Sequence, residues 1–347
     1  KQPAPSAVRE LGLKIRSHRL KAGVKPVVKK IDTTAAEYPS PSNYFYMSYG
    51  GLFDDTIVID RKKKSAIVLG GGAYRIGTSV EFDWCAVSSS QQLQSAGWRS
   101  IIINCNPETV STDYNCSDHL YFEEMTLERI LDIQDIEKAT GVIVSMGGQL
   151  PNRLAGALAK ADVPILGHSY AAIDAAEDRS KFSKLLDELG IDQPRWISAT
   201  SKAEVEVFID EVKFPVLVRP SYVLSGAAMK VAYDHASLEV CLAKAAQISD
   251  EYPIVISEFI EGAREIELDG VAQNGKILTC VLSEHVENAG VHSGDATMVV
   301  PTQNLYVETV RQVKKAGAAI AEKLMLNGSF NMQFLAKEGK IKVIECN

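Results

Sequence analysis

The run Ala66-Ile67-Val68-Leu69 is apolar at every position and ends at Gly70-Gly71-Gly72. A strand that is apolar on both sides must be covered on both faces, which points to a parallel sheet with helices above and below it. Similar runs follow at Ser100-Ile101-Ile102-Ile103-Asn104, Gly141-Val142-Ile143-Val144-Ser145 and Val163-Pro164-Ile165-Leu166-Gly167. Single helical stretches, residues 84–96, 127–138 and 153–160, separate them. This alternation predicts an open parallel α/β sheet over residues 65–175, with ligands at the carboxyl ends of the strands.

The pattern changes after Asp178. A helix carrying Phe182, Leu185 and Leu189 is expected to stop at Gly190. A strand over residues 214–219, a helix over 237–248 and a strand over 253–257 follow. Further strands are expected around 265–269, 276–282, 331–336 and 340–345. That order predicts an α+β nucleotide-binding unit over residues 176–347, with a mobile lid at about 191–257. Residues 1–64, with a basic helical stretch over 8–20 and a Pro-, Ser- and Tyr-rich stretch over 36–49, read as a connector from an upstream, oligomerisation-like domain.

With 347 residues, two or three domains are expected. The net charge of −7 argues against a surface built for nucleic acid, although local Arg residues and helix N-termini can still hold phosphates. No apolar run approaches the roughly 20 residues that cross a bilayer. The first residue is Lys1, and Asn347 follows directly on a strand pattern, so both ends read as cuts in a longer chain. The six cysteines lack CxxC or zinc spacing and are expected to be small buried hydrophobes in a reducing compartment.

Gly70-Gly71-Gly72-Ala73-Tyr74-Arg75-Ile76-Gly77 sits where a Rossmann phosphate loop would, but its third glycine comes one residue late. The next strand ends in Asn104-Cys105-Asn106 and lacks the acid that would hold a ribose. No nicotinamide cofactor is therefore expected here. A tight turn facing another anion is the better reading. The loops 106–113 and 146–151 leave the same sheet edge, and three convergent loops favour a site.

In the last segment, residues 331–347, two strand-like runs flank Glu338-Gly339, so a hairpin is expected. A three-residue loop, Glu338-Gly339-Lys340, would set Gln333 opposite Glu345 and Asn331 opposite Asn347. One face would then be Asn331, Gln333, Glu345 and Asn347. The other would be Met332, Phe334, Ile344 and Cys346, packed on a helix such as 310–324. A two-residue loop would shift the register by one and mix the faces. The polar face offers only oxygen donors, which suits Mg²⁺ shared with nucleotide phosphates. An exposed polar strand face is the alternative.

Glu265-Ile266-Glu267-Leu268-Asp269 alternates, with three acids on one strand face, and is open to either a ribose-binding or a solvated reading. Before it, Glu258-Phe259-Ile260-Glu261-Gly262 is a link able to present backbone groups to an adenine. Arg219-Pro220-Ser221 places a guanidinium at a strand end, a position suited to phosphate. Gly290-Val291-His292-Ser293-Gly294-Asp295 is a Gly-flanked loop carrying His, Ser and Asp.

Taken together, residues 8–347 resemble carbamoyl-phosphate synthetase. The resemblance rests on Tyr74-Arg75-Ile76-Gly77, Val80-Glu81-Phe82-Asp83, Asn106-Pro107-Glu108-Thr109-Val110-Ser111-Thr112-Asp113-Tyr114, Arg219-Pro220-Ser221-Tyr222-Val223-Leu224 and Ala289-Gly290-Val291-His292-Ser293-Gly294-Asp295. The wording of residues 292–296, and of Ile31-Asp32-Thr33-Thr34-Ala35-Ala36-Glu37-Tyr38, is similar to the second, carbamate-phosphorylating half of the large chain.

The resemblance implies a pre-ATP-grasp domain over 65–175 and an ATP-grasp domain, incomplete at Asn347, over 176–347. It implies ATP and Mg²⁺ or Mn²⁺ as cofactors, with Arg179 and Arg219 on the ATP phosphates. Glu258 and the backbone of Ile260 would meet adenine, and Glu265 the ribose. Gly290, Val291, His292 and Ser293 would line the phosphoryl-transfer site, where Arg219 and His292 are the catalytic candidates. Gln333, Glu345 and Asn347 match metal-ligand positions, with Gln333 and Glu345 also at the nucleotide. Implied partners are carbamate or bicarbonate, a first synthetase half, a glutamine amidotransferase subunit or domain, and further copies of the full-length chain; no nucleic acid or membrane is implied. The compartment implied is the cytoplasm, with the mitochondrion as alternative, and the pathway is pyrimidine or arginine biosynthesis. Another ATP-grasp enzyme such as a biotin carboxylase is the nearest alternative. An NAD(P)-dependent oxidoreductase is the alternative from a different class.

Overall fold

A computed structural model of the chain describes residues 5–55, 62–73, 81–199, 201–220, 230–248, 254–291 and 295–347. The chain forms two compact units, Lys1–Tyr170 and Ala171–Asn347. Among the described residues, no helix is long and apolar enough to cross a membrane.

The first unit runs α1 (Pro5–Lys21), β1 (Val27–Lys30), β2 (Tyr44–Ser48), β3 (Ser65–Leu69), α2 (Glu81–Ser95), β4 (Arg99–Ile103), β5 (His119–Tyr121) and α3 (Leu127–Glu137). It closes with β6 (Gly141–Ile143), α4 (Gln149–Asn152) and α5 (Ala155–Lys160). Its sheet has the order β1-β2-β5-β4-β3-β6 and is parallel except at the β1–β2 pair. All residues of β3 and β4 are buried, as unbroken apolar runs require.

The fourth run, around Ile165, adds only a parallel bridge to Val142, because Pro164 has no N–H to extend the ladder. Residues 1–64 do more than connect. β2 pairs with β5 in the main sheet, and Arg16 and Arg19 fix α1 to α3 through Asp132, at 2.9 and 2.7 Å.

Arg99 and His119, each opening a strand, converge on the Glu137 carboxylate at the end of α3. His119 Nδ1 donates to it at 2.8 Å, Tyr121 OH at 2.6 Å, and Arg99 Nη1 also donates. Burial pushes the Glu137 carboxyl up, but these donors outweigh it and hold the group below the usual carboxylate range.

The second unit opens with α6 (Tyr170–Glu177) and α7 (Arg179–Leu189). Asp178 caps α7, accepting from the Lys181 N–H, and Gly190 ends it at φ +66°. Next come β7 (Trp196–Ala199), α8 (Lys202–Val212), β8 (Val216–Pro220), β9 (Lys230–Ala232), α9 (His235–Ile248) and β10 (Ile254–Glu258). These strands form an antiparallel sheet, β7-β10-β8-β9. Phe208 and Ile209 of α8 and Leu238 of α9 are buried against it. Pro220 does not stop the strand on the β10 side, where it pairs with Ile254.

The chain then makes β11 (Arg264–Gln273), β12 (Lys276–Asn288), β13 (Met298–Val299), α10 (Val307–Leu324), β14 (Gly328–Lys337) and β15 (Lys340–Cys346). Their antiparallel order is β13-β12-β11-β14-β15. One face packs on α10 and α7, burying Ile266, Leu268, Met332, Phe334 and Val343 against Val313, Ile320 and Phe182. Alternation along the strands leaves polar residues on the other face.

None of the six cysteines is in a disulfide: Cys116, Cys241 and Cys346 are buried, Cys85 and Cys280 half-buried, and Cys105 exposed. Burial pushes the Cys346 thiol up to about 12, so it packs as an inert apolar group.

Candidate active site

The β14–β15 hairpin sets the site, and its turn differs from expectation. Lys337 pairs with Lys340, so the loop has two residues, Glu338 and Gly339, at φ +52° and +76°. Positive φ at both central positions is the type I′ geometry that matches strand twist. Continued unbroken, this register would pair Gln333 with Ile344 and turn Glu345 toward the core. A bulge at Ile344 adds one residue to β15. Beyond it Gln333 faces Glu345 and Met332 faces Cys346. Asn331 and Asn347 exchange both backbone hydrogen bonds, at 3.0 and 2.8 Å. The polar face therefore comes out as expected, by a different route. On the apolar face Val343 takes the buried place foreseen for Ile344, which is only half-buried.

The register across β11 extends these pairs into rows. Glu267, Gln333 and Glu345 lie side by side over three strands, and Asp269, Asn331 and Asn347 form the next row. The acids of β11 are not a solvated face, since Glu265 and Glu267 are 7% and 6% exposed. Glu267 accepts from His285 Nε2 at 3.0 Å and from Asn331 Nδ2 at 2.8 Å, and that same amide donates to Asp269 at 2.8 Å. Glu267, Asn331 and His285 thus form a supporting layer. Only Glu267 and Asn331 are visible in local spacing; His285 lies on β12, eighteen residues from its partner.

Glu265 differs from Glu267. Burial pushes its carboxyl above the ordinary range, opposed by His285 and the Gly290 N–H and reinforced by Glu267 and Glu345. A carboxylate crowded by others and half-served by donors is a place where a cation or a ligand hydroxyl is favoured.

Gln333 and Glu345 are half-buried and Asn347 is exposed, with Asn347 Nδ2 donating to Glu345 Oε1 at 3.1 Å. One carboxylate and two amide oxygens on one face fit a hard divalent cation that keeps phosphate or water ligands. Among the described residues, no three His, Cys, Asp or Glu side chains form a metal-holding group.

The other end of the site is the link after β10. Glu258 Oε2 accepts from the Arg195 N–H at 3.2 Å and lies 3.4 Å from Lys342 Nζ, a β15 residue on the same face as Glu345. Gly290 adopts φ +109°, which disfavours other residues, and a Cβ there would sit 3.2 Å from the Phe259 ring, so a glycine suits this close approach of the two loops. Ile260 is half-buried, and no partner among the described residues takes its N–H. Val291 follows at the rim, half-buried. Arg179 donates through Nη1 to the Ile344 carbonyl and lies over the Trp196 ring, 5.5 Å from its centroid. The structure thus gathers Arg179, Glu258, Ile260, Glu265, Gly290, Val291, Gln333, Glu345 and Asn347 in one unit. The Arg219 backbone lies in β8, paired with Val255; its side chain, and His292 and Ser293, fall outside the described residues.

In the first unit the glycine loops serve one another. A Cβ at Gly70 would meet Asn104 Nδ2 at 2.6 Å, and one at Gly147 would meet the Gly70 carbonyl at 2.4 Å. Asn104 donates to Ser111 Oγ at 3.0 Å, and the Ser111 N–H donates to Asp83 at 2.8 Å. Loop-to-loop packing accounts for the described glycines; residues 74–80 of that motif lie outside the described set.

Solved structures share the fold. The biotin carboxylase domain of the Hydrogenobacter thermophilus 2-oxoglutarate carboxylase, in complex with MgADP, ADP and bicarbonate, aligns with TM-score 0.65 and 16% identity, over 82% of this chain and 63% of that one. The D-alanine–D-alanine ligase of Bacillus anthracis aligns with TM-score 0.59 and 19% identity, over 82% and 86%. The fold is that of the ATP-grasp enzymes.

Residues 62–175 match the carbamoyl phosphate synthase preATP-grasp domain, and residues 178–347 match the carbamoyl-phosphate synthase L chain, ATP binding domain. The chain belongs to the carbamoyl-phosphate synthase family. The multifunctional protein pyr1-3 of Dictyostelium discoideum is 54% identical over 344 residues, 98% of this chain and 15% of that protein. The arginine-specific large chain of carbamoyl phosphate synthase from Cutaneotrichosporon cutaneum is 50% identical over 339 residues, 96% of this chain and 28% of that protein. The chain thus spans less than a third of these relatives. The biotin carboxylase and oxidoreductase alternatives are not favoured by these matches.

Proposed function

We propose that this chain transfers the γ-phosphoryl group of ATP to carbamate, giving carbamoyl phosphate and ADP. The observation that carries the reading is the row Glu267–Gln333–Glu345 with Asn347 beside it, in a segment matching an ATP binding domain. The choice of carbamate rests on the resemblance of residues 31–38 and 292–296 to the second synthetase half.

In the reaction a carbamate oxygen attacks the γ-phosphorus, the bond to the bridging β–γ oxygen breaks, and ADP leaves with that electron pair. No side-chain nucleophile is required. A divalent cation, when bound, offsets phosphate charge. Glu345, Gln333 and Asn347 would hold it, with Mg²⁺ or Mn²⁺ fitting the oxygen donors. Glu265 would accept ribose hydroxyls, and the Ile260 N–H and Glu258 would meet adenine. Arg179, Arg219 and the 290–293 loop would take the phosphates, with Arg219 and His292 nearest the transferred group.

The β7-β10-β8-β9 sheet with α8 and α9 would close as a lid, excluding water from carbamate. A first synthetase half, a glutamine amidotransferase and further copies of the complete protein are the partners this reading calls for, and the cytoplasm is its compartment, with the mitochondrion as alternative. Calorimetric titration with MgATP tests the site: Glu345→Ala should abolish Mg²⁺-dependent affinity. Unchanged Mg²⁺-dependent binding would refute the cation assignment.

A further inference from the structure

The β14–β15 hairpin holds two registers, one set by its two-residue turn and one carried by the site, and a single residue, Ile344, separates them. Without the extra residue, Glu345 would share the apolar face with Met332, which is fully buried under α10. A bulge leaves its extra residue outside the ladder and interrupts the local hydrogen bonds, so it persists only where something else satisfies the backbone. Here the Ile344 carbonyl accepts from Arg179 Nη1. Arg179 is itself fixed. It opens α7, whose Phe182, Leu185 and Leu186 are buried in the core beneath the sheet, and its guanidinium lies over Trp196.

We infer that Arg179 is a positioning residue for the cation ligands: by holding the bulge carbonyl of Ile344, it fixes the register that turns Glu345 to face Gln333. The inference rests on the cation reading of Gln333, Glu345 and Asn347. It differs from a phosphate contact by the same side chain, which acts only when nucleotide is present. A bulge clamp acts on the empty protein, because it sets where Glu345 points before any ligand arrives. The contact is a charge-assisted hydrogen bond, whose loss corresponds to a weakening of about tenfold or more in whatever depends on the geometry.

The test uses Mn²⁺ alone as the probe, with binding followed by electron paramagnetic resonance in the absence of nucleotide. Arg179→Met should raise the Mn²⁺ dissociation constant about tenfold. Arg179→Lys, which keeps the charge and the helix start, should fall between Arg179→Met and the parent. Hydrogen exchange read on the 340–347 segment of the ligand-free protein should speed up in the same order. If both variants bind Mn²⁺ as the parent does and lose only ATP affinity, the clamp is refuted and the phosphate contact is the whole role. If the parent binds no Mn²⁺, the cation reading fails, and the exchange measurement still decides the clamp: unchanged exchange overturns it, faster exchange supports it.

Discussion

One methyl group at position 317 should loosen the sheet that carries the site. Gly317 lies in α10 where the helix crosses Leu268, and a Cβ built there would sit 2.2 Å from Leu268 Cδ2. In an open helix, Gly→Ala would stabilise by about 1 kcal/mol. Here Leu268 is fully buried, with Met332 Sδ 3.7 Å from the new carbon, so the Leu268 side chain has to repack in a closed core to make room. Overpacking of this kind costs about 1–3 kcal/mol, so with the helix gain of about 1 kcal/mol set against it Gly317→Ala should be destabilising by up to about 2 kcal/mol net.

Trp196 is the only tryptophan of the second unit, so urea unfolding followed by its fluorescence reports on that unit. The midpoint should fall with the slope unchanged. Leu268→Ala alone should cost about 2–5 kcal/mol. Combined with Gly317→Ala the two losses should be less than additive, by about 1 kcal/mol. A Gly317→Ala protein more stable than the parent would refute the view that this contact sets the spacing of helix and sheet.

At the hairpin turn, Glu338 sits at φ +52° where Asn or Gly is preferred, so Glu338→Asn should raise stability by about 0.5–1 kcal/mol in the same assay. Glu137→Gln should destabilise the first unit by about 3–5 kcal/mol in thermal unfolding, because the buried Arg99 loses its counter-charge. The Glu137 carboxyl is depressed in the folded state, so its contribution is present above its ordinary value of 4.5 and is lost as pH falls through the folded value. Acid sensitivity in that range should therefore be weaker in Glu137→Gln. Glu265 is shifted the other way, so the stability it contributes at low pH is lost as pH rises through its folded value. Calorimetric scans of Glu265→Gln without nucleotide should show a gain near neutral pH and little change in acid, while MgATP affinity falls.

The parts legible in the sequence are those where one local pattern decides the structure. β3 and β4 are buried on both faces and carry no polar interruption, so they stand out at once. α7 has an acidic cap and a glycine stop. β1, β2 and β5 did not stand out, because strands of three to five residues with lysine, histidine and tyrosine on them give no clear period. α8 has a sequence signal of its own, since Ser201 and Glu204 form a reciprocal capping box. The polar face of the hairpin was legible from its alternation, but its turn was not. Glu at a positive-φ position hides a two-residue loop, and a bulge has no signature of its own. The Glu267–His285 contact needed the fold, since only strand pairing brings β11 and β12 together there.

The chemistry proposed above belongs to the polar face of the five-stranded sheet. The most direct measurement is a single turnover with ATP labelled in its γ-phosphate, supplied with carbamate and Mg²⁺, with the products separated before they decompose. Label is expected in carbamoyl phosphate, formed together with ADP, and that product should be lost in Glu345→Ala. Label found only in inorganic phosphate, released with bicarbonate and indifferent to carbamate, would contradict it.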